Sequence, residues 1–252
     1  MNWSGRPKGA YENMKIKSQP QTKKRSILSK AWRIFKKAVL YVFLFSILYI
    51  LFCKWINPPI TITQLSSVLW GHRLQRDYVD LDEMSPNVKL AVMSSEDQLF
   101  PDHNGFDFKS IEKARKHNQK SRSLRGASTI SQQVAKNIFL WQHGGYFRKG
   151  LEVYFTFMIE HLWSKKRILE MYLNVAEMGE GIFGVEAATR KYFNKPAKDL
   201  TRTEAAMIAA CLPNPKGYSV KPLSRHVALR YPWILRQMAH LESDPDIQNL
   251  IH

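Results

Sequence analysis

The feature that most constrains this chain is a run of sixteen residues without a charged side chain, residues 38–53, which follows a strongly basic segment. The run extends through Trp55 and Ile56 if the Lys54 ammonium reaches back to the membrane interface. About twenty apolar residues in a helix span the hydrocarbon core of a bilayer. The sequence therefore predicts a transmembrane anchor over residues 38–56.

Two other interpretations of the apolar run are less favoured. A cleaved signal peptide has a shorter apolar core nearer the start of the chain and small residues at its cleavage site, whereas the sequence WINPP follows here. A core helix of a globular domain would not be apolar on every face behind a basic tail. A single membrane anchor fits the pattern better than either.

Positive charge is concentrated before the anchor. Residues 1–37 hold eleven Lys and Arg against one acidic residue, so they contribute +10 of the formal net charge of +17. Because Lys and Arg are enriched in the cytoplasmic flanks of membrane helices, we expect residues 1–37 to be a cytoplasmic tail and the chain after the anchor to lie on the outer side. We expect the tail to contact anionic membrane lipids. Nucleic-acid binding is the weaker alternative, and we predict no nucleic-acid partner.

The length of 252 residues allows one domain of about 200 residues besides the tail and the anchor. Hydrophobic residues make up 44% and charged residues 23%, which is typical of a globular domain and not of a disordered chain or a polytopic membrane bundle. We therefore expect one domain over residues 57–252. The two cysteines of the chain, Cys53 and Cys211, offer neither a disulfide pair nor a metal-ligand spacing.

Helix signals dominate the part of the chain after the anchor. Thr129 followed by Gln132, and Thr201 followed by Glu204, are typical of capping boxes. Apolar residues recur at helical spacing between about residues 148 and 163. Strand signals are scarce, and the glycine-rich segment 179–184 is interpreted as a loop. The sequence predicts a mainly α domain.

The first of three candidate reactive clusters is the segment SSEDQLFPDHNGFD. Glu96 and Asp97 precede an aromatic, turn-rich stretch, where a carboxylate can have a raised pKa and act as a base or an acid. The alternative is that Glu96, Asp97 and Asp107 merely cap helix ends. His103 with Asp107 also suggests a metal site, although no third ligand follows at a recognisable spacing.

The second cluster follows the predicted helix start at Thr129. Gln132 and Lys136 lie one turn apart on one face of that helix, with Gln133 and Asn137 beside them. A surface this rich in amides and ammonium groups suits sugar hydroxyls and phosphate. A solvated helix face is an equally weighted alternative.

The third cluster is RKGLE, in which Arg148 and Lys149 precede Glu152 by four and three positions on one side of a helix. The carboxylate could hold a metal ion or a developing positive charge, and the cations could bind a pyrophosphate. A surface salt-bridge cluster is the alternative. The motifs of P-loop proteins, Rossmann folds and serine hydrolases are absent from the sequence.

Taken together, these clusters resemble a known family, the monofunctional biosynthetic peptidoglycan glycosyltransferases, which are relatives of the glycosyltransferase module of class A penicillin-binding proteins. The resemblance covers about residues 80–235. It implies a lysozyme-like, mainly α glycosyltransferase domain behind one N-terminal transmembrane helix. The motifs that carry it are EDxxFxxHxGxD from Glu96, GxSTIxQQxxKN from Gly126, RKxxE from Arg148, SKKRILEMYLN from Ser164, GVEAA from Gly184, KYF from Lys191 and the segment IAACLPNP.

The resemblance implies a role for each candidate residue. Glu96 is the expected general base toward the acceptor hydroxyl. Glu152 is the expected second carboxylate, which assists departure of the pyrophosphate directly or through a divalent cation, Mg or Mn. The expected pyrophosphate ligands are Lys136, Arg148 and Lys149, and the expected donor-site residues are Ser128, Thr129, Gln132, Gln133 and Asn137.

The reaction implied is polymerisation of lipid II into glycan strands by inverting glycosyl transfer, with release of undecaprenyl pyrophosphate and without an organic cofactor. The expected location is the bacterial cytoplasmic (inner) membrane, as a single-pass protein with the domain on the periplasmic side. Expected partners are lipid II, the growing strand, membrane lipids and other proteins of cell-wall synthesis and division. Little sequence follows the matching region, so we expect no transpeptidase activity.

One position departs from the family pattern. Gly144 stands where the family commonly has an arginine, which removes one candidate pyrophosphate ligand. Two alternatives to the glycosyltransferase interpretation remain: a lysozyme-like enzyme that cleaves glycan strands, and a non-catalytic membrane-anchored scaffold for cell-wall machinery.

Overall fold

The computed structural model describes residues 22–121, 126–142 and 144–252, with side chains from residue 27 onward. Within these ranges the chain is mainly α, as predicted. The α-helices are α1 Thr22–Trp55, α2 Ile62–Leu69, α3 Pro86–Glu96, α4 Phe108–Lys120, α5 Ile130–Phe139, α6 Tyr146–Leu162, α7 Lys165–Val175, α8 Val185–Phe193, α9 Arg202–Cys211, α10 Arg225–Leu241 and α11 Pro245–Ile251. The strands are β1 Gln75–Arg76, β2 Glu177–Gly179 and β3 Ile182–Phe183, and 3₁₀ turns occupy Leu81–Glu83 and Ala197–Asp199.

The described part of the chain divides into two compact units, one that ends at residue 48 and one over residues 49–252. The first contains most of α1, a helix of 34 residues whose apolar part, Ile27–Trp55, has the length and composition of a single-pass membrane anchor. The helix begins at Thr22, so residues 22–37, predicted as part of a basic tail, belong to the same helix as the apolar run.

The second unit begins inside α1. Ile50 and Cys53 are fully buried in its core. The Trp163 indole N–H donates to the Ile50 carbonyl at 2.9 Å, and the Arg167 guanidinium donates to the Cys53 carbonyl at 2.9 and 3.2 Å. The bond to Cys53 satisfies a carbonyl of the last turn of α1, where intrahelical partners run out, and the bond to Ile50 ties the preceding turn to Trp163. The last two turns of α1 therefore belong to the folded domain, which starts earlier than the predicted boundary at residue 57.

The domain core is built around α3, which packs against α9, α10 and α11. Seven of its eleven residues are buried, in agreement with its apolar sequence. Even Lys89 is buried, and its ammonium donates to the Ile251 carbonyl at 3.0 Å while burial lowers its pKa. On the neighbouring α9, small side chains permit close approach to α3 and α10: Ala205, Ala206, Ala209 and Ala210, all fully buried.

A second layer surrounds α5, which packs against α6 and α7. The predicted capping box of Thr129 and Gln132 is confirmed at the start of α5, and the Ser164 hydroxyl also caps α7. The capping box of Thr201 and Glu204 likewise begins α9. These caps fix where the helices begin.

The interpretation of residues 179–184 as a plain loop is wrong in part. This segment holds a tight turn between β2 and β3, which pair antiparallel, and β1 adds to β3 in parallel. Such short strands carry too few residues for an alternating pattern to show in the sequence. Gly184 follows β3 with φ of +85°, and a Cβ there would lie 2.6 Å from the Asn174 carbonyl oxygen.

We expect Gly184→Ala to lower the free energy of unfolding by about 2 kcal/mol, because a left-handed conformation costs a side-chain residue about 1–2 kcal/mol and the new methyl group meets backbone. Gly150→Ala is the matched control. Gly150 lies in α6, where a Cβ would point into open space, so alanine should stabilise the helix by about 0.5–1 kcal/mol. Thermal unfolding of the detergent-solubilised chain, followed by circular dichroism, measures both. Equal midpoints for the two variants would contradict this account of Gly184.

Candidate active site

Two polar cavities lie along α5 and the loop before it. One, of about 410 Å³, is lined by residues that include Glu96, Ser128 and Thr129. The other, of about 470 Å³, is lined by residues that include Gln133 and Lys136. The cap residue Thr129 lines the first cavity, and residues of α5 itself line the second. This helix therefore joins the first two predicted clusters.

Glu96 is the last residue of α3, at the wall of the 410 Å³ cavity. Its carboxylate accepts a hydrogen bond from the Gln133 amide at 2.9 Å, and the Ser95 hydroxyl lies 3.4 Å from the other oxygen. Burial raises the pKa of Glu96, and the two hydrogen bonds and the positive charge of Arg230 lower it only in part. A carboxylate with a raised pKa at a cavity wall is suited to accept a proton.

Asp97, the next residue, has a structural role. Its Oδ2 accepts the backbone N–H of Ile130 at 2.9 Å, and both carboxylate oxygens lie within 3.1 Å of His103 Nε2. His103 Nδ1 accepts the Gly105 N–H at 3.1 Å, which leaves the ring proton on Nε2. Asp107 caps α4 through Ser110. The helix-cap alternative is thus correct for both aspartates, and the suggested His103–Asp107 metal site is wrong because both ring nitrogens of His103 have other partners.

Glu152 is buried in α6 between two cations. Its Oε2 accepts from the Arg148 guanidinium at 2.7 Å, and its Oε1 is paired with the Lys149 ammonium. Lys149 is half-exposed, while Arg148 is largely buried. The alternative of a salt-bridge cluster is confirmed as far as the pairing goes, but the Glu152 carboxylate, at 4% exposure, is buried and does not lie at the surface.

A metal ion does not fit the residues around Glu152. Both carboxylate oxygens are occupied by cations, and among the described residues no group of three or more His, Cys, Asp and Glu side chains could hold a metal. The divalent cation stays a prediction that follows from the family resemblance.

Lys136 lines the 470 Å³ cavity and interacts electrostatically with both Glu96 and Glu152. Burial lowers its pKa; the negative charges of Glu152 and Glu96 raise it, while the positive charges of Arg148 and Lys149 lower it further. Lys136 therefore shares an electrostatic environment with both clusters. Three cations against the one carboxylate of Glu152 leave an excess of positive charge, which suits a doubly charged anion such as a pyrophosphate.

The remaining predicted residues divide between cavity and fold. Ser128 is exposed at the 410 Å³ cavity, and Asn137 lines the 470 Å³ cavity with its Oδ1 accepting from Gln142 at 3.0 Å. Thr129 donates to the Gly105 carbonyl at 2.7 Å. Gln132 is buried, and its amide oxygen accepts the Thr129 N–H, so this side chain serves the capping box. Their contacts with substrate stay predictions.

Gly144 is held close to its neighbours. A Cβ at this position would lie 2.9 Å from the Arg148 Cβ and 3.0 Å from the Trp141 indole nitrogen. A longer side chain here requires Arg148 or Trp141 to shift. The backbone of this chain is thus fitted to glycine at the position where the family commonly has arginine.

Sequence reasoning missed two residues of the site. Arg230 on α10 acts electrostatically on Glu96, and its guanidinium stacks on the Trp233 ring at 3.6 Å. Tyr172 on α7 lies with its hydroxyl 3.3 Å from the Gln133 amide oxygen. Arg230 lies in none of the quoted motifs, and Tyr172 lies within SKKRILEMYLN, a motif that was quoted for the family resemblance without a site role.

We expect Glu96→Gln to raise the melting temperature at pH 7.5. Burial raises the pKa of Glu96 in the native state, so above that pKa the folded protein holds a desolvated charge that the unfolded chain exposes to water. The gain should vanish near pH 4, where the carboxyl group is largely protonated in both states. The control is Glu112→Gln, which removes an exposed carboxylate on α4. A lower melting temperature for Glu96→Gln at pH 7.5 would overturn the assignment of a destabilising carboxylate.

Comparison with known proteins gives one family. The transglycosylase family model matches residues 62–239. The biosynthetic peptidoglycan transglycosylase of Mannheimia succiniciproducens is 56% identical over 172 residues, covering 68% of this chain and 70% of the relative. The proteins of the same name from Aeromonas hydrophila and Escherichia coli are 48% and 53% identical, covering 81% and 73% of this chain and 89% and 78% of the relatives. The chain belongs to the transglycosylase family and is a glycosyltransferase.

Proposed function

We propose that this chain polymerises lipid II into peptidoglycan glycan strands and releases undecaprenyl pyrophosphate. The observation that carries the proposal is that Gln133, which donates a hydrogen bond to Glu96, lines the same cavity as Lys136. Arg148 and Lys149 are paired with the buried Glu152, whose charge acts on Lys136. An inverting displacement needs a base for the acceptor and charge stabilisation for the leaving group. The relatives are named as biosynthetic peptidoglycan transglycosylases, which supports peptidoglycan as the product.

In the proposed reaction, Glu96 takes the proton of the acceptor's 4-hydroxyl as that oxygen attacks C1 of the donor sugar. The bond between C1 and the pyrophosphate oxygen breaks, and its electron pair leaves with the pyrophosphate. The hydrogen bond from Gln133 holds the carboxylate of Glu96 in place for proton transfer. General-base assistance of this kind typically contributes about 10²–10⁴-fold to the rate.

The leaving pyrophosphate is stabilised by Lys136, Arg148 and Lys149. Partial burial of Lys136 strengthens its interaction with an anion, because few water molecules screen the charge. Glu152 pairs with Arg148 and Lys149, so it orients both cations before the substrate arrives. In this proposal Glu152 assists departure of the leaving group through the cations that it positions.

The apolar helix gives this reaction a location. A donor with a polyprenyl tail stays in the bilayer, and an enzyme anchored in the same bilayer meets it by diffusion in two dimensions. We propose a single-pass anchor in the bacterial inner membrane, with the N-terminus in the cytoplasm and the catalytic domain on the periplasmic side. The basic residues before the apolar run support that orientation. Other cell-wall synthesis and division proteins stay predicted partners.

We expect Glu96→Gln to reduce strand formation at least about 100-fold, since the amide cannot accept the acceptor's proton. The assay incubates the detergent-solubilised chain with labelled lipid II and separates the products by length. Glu112→Gln, which removes an exposed carboxylate on α4, is the control and should retain activity. Strand cleavage without polymerisation would favour a lysozyme-like enzyme, and no activity from the folded wild type would favour a scaffold.

We expect Lys136→Ala to lower kcat/KM for lipid II about 100-fold, because one cation at the leaving group is lost. Lys191→Ala, at an exposed position on α8, is the matched control. Initial rates over a range of lipid II concentrations give kcat and KM for both variants. An unchanged kcat/KM in Lys136→Ala would remove this lysine from the proposed pyrophosphate site.

A further inference from the structure

Helix α4 carries an unusual surface. None of its thirteen residues is buried, and its four lysines are spaced by four, three and four positions. At about 100° per residue this spacing places them within an arc of about 60° on one side of the helix. The row extends about 16 Å along the axis at about 1.5 Å per residue. We call this surface the lysine face: Lys109, Lys113, Lys116 and Lys120, all exposed.

Neither the fold nor the proposed reaction uses the lysine face. Of its four members only Lys116 has an acidic partner among the described residues, Glu112 at 2.7 Å on the same helix. Glu112 is also the only acidic residue of α4, which has Arg115 in addition to the four lysines. Like charges at this spacing repel one another, so the face is suited to an external anion.

The position of α4 indicates which anion. Lys113 lines the same 410 Å³ cavity as Glu96, so the lysine face begins at the wall of the proposed catalytic cleft. Phe108, directly before Lys109, is 74% exposed and stacks on Phe106 at 6.1 Å. Basic side chains and exposed aromatic side chains are both among the features by which helices bind a membrane interface.

This step rests on the proposed function. If the donor's carrier lipid stays in the bilayer while its sugar reacts at Glu96, the cleft opens at the level of the lipid headgroups. The lysine face, which starts at that cleft, is then at the same level. We propose that the lysine face binds anionic phospholipid headgroups and so holds the cleft opening against the bilayer surface.

The test places an environment-sensitive fluorophore on Gln119→Cys, an exposed position of α4, in the full-length chain reconstituted into nanodiscs. The two native cysteines are buried, which restricts labelling to the new site. With phosphatidylglycerol in the nanodisc we expect a blue-shifted emission and quenching by brominated lipid. Both should be lost in pure phosphatidylcholine and at high salt, because interactions with exposed charges are screened.

The variant replaces all four lysines of the lysine face by glutamine, and we expect docking to weaken about fivefold for each lysine removed. A control removes the same charge at exposed positions of other elements: Lys166, Lys191, Lys198 and Arg225, each changed to Gln. An emission that is the same in both lipids, or equally affected by the variant and the control, would overturn the inference. A response to added glycan strands but not to anionic lipid would also overturn it, in favour of the product as the ligand.

Failure of this inference and failure of the proposed function are distinguishable. If the chain docks on anionic nanodiscs but makes no strands from lipid II, the lysine face stands as a lipid-binding surface and the proposed polymerase activity is wrong. If the chain makes strands with equal efficiency in both lipids, and the emission of the fluorophore at Gln119→Cys is the same in both, the polymerase activity stands and the lipid-binding surface is wrong.

Discussion

The carboxylate of Asp97 joins the two elements on which the site depends. It lies at the end of α3 and accepts the first backbone N–H of α5, from Ile130. The first turn of a helix has N–H groups without partners and a partial positive charge, so a carboxylate is stabilised there. Since Glu96 precedes Asp97 and Gln133 follows Ile130 by three residues, this one contact holds the proposed base against its hydrogen-bond donor.

A buried polar network supports this junction. Glu160 on α6 is paired with the Lys165 ammonium at 2.9 Å and accepts from the Ser131 hydroxyl. Lys165 also donates to the His103 carbonyl and lies 4.6 Å from the centre of the Phe100 ring. Buried charges are tolerated where they are paired and hydrogen-bonded, and removal of one partner is costly. The loop between α3 and α4 is therefore fixed by charge and hydrogen bonding as well as by apolar packing.

How much of the molecule the sequence predicts depends on the range of the interaction. Caps such as Thr129 with Gln132 are local, and they were predicted correctly because a side chain bonds a backbone group three residues away. The short strands were missed because they contain only two or three residues each. Arg230 was missed because packing of α10 on α3 brings it near Glu96 from far along the chain. Likewise, Ile50 is tied to Trp163, which lies 113 residues further along the chain, so the apolar run alone does not indicate that Ile50 is buried.

The alanines of α9 have a consequence for how this enzyme can vary. They lie on α9, which packs against both α3, which ends at Glu96, and α10, which carries Arg230, and their small volume sets how closely α9 approaches each of them. A larger residue at the fully buried Ala206 or Ala209 would force α9 away from the helices that carry the proposed base and Arg230. Tolerance to substitution in this domain should therefore depend on distance from the packing of α3, α9 and α10 as much as on distance from the cleft. The small side chains of α9 thus limit which amino-acid changes can accumulate.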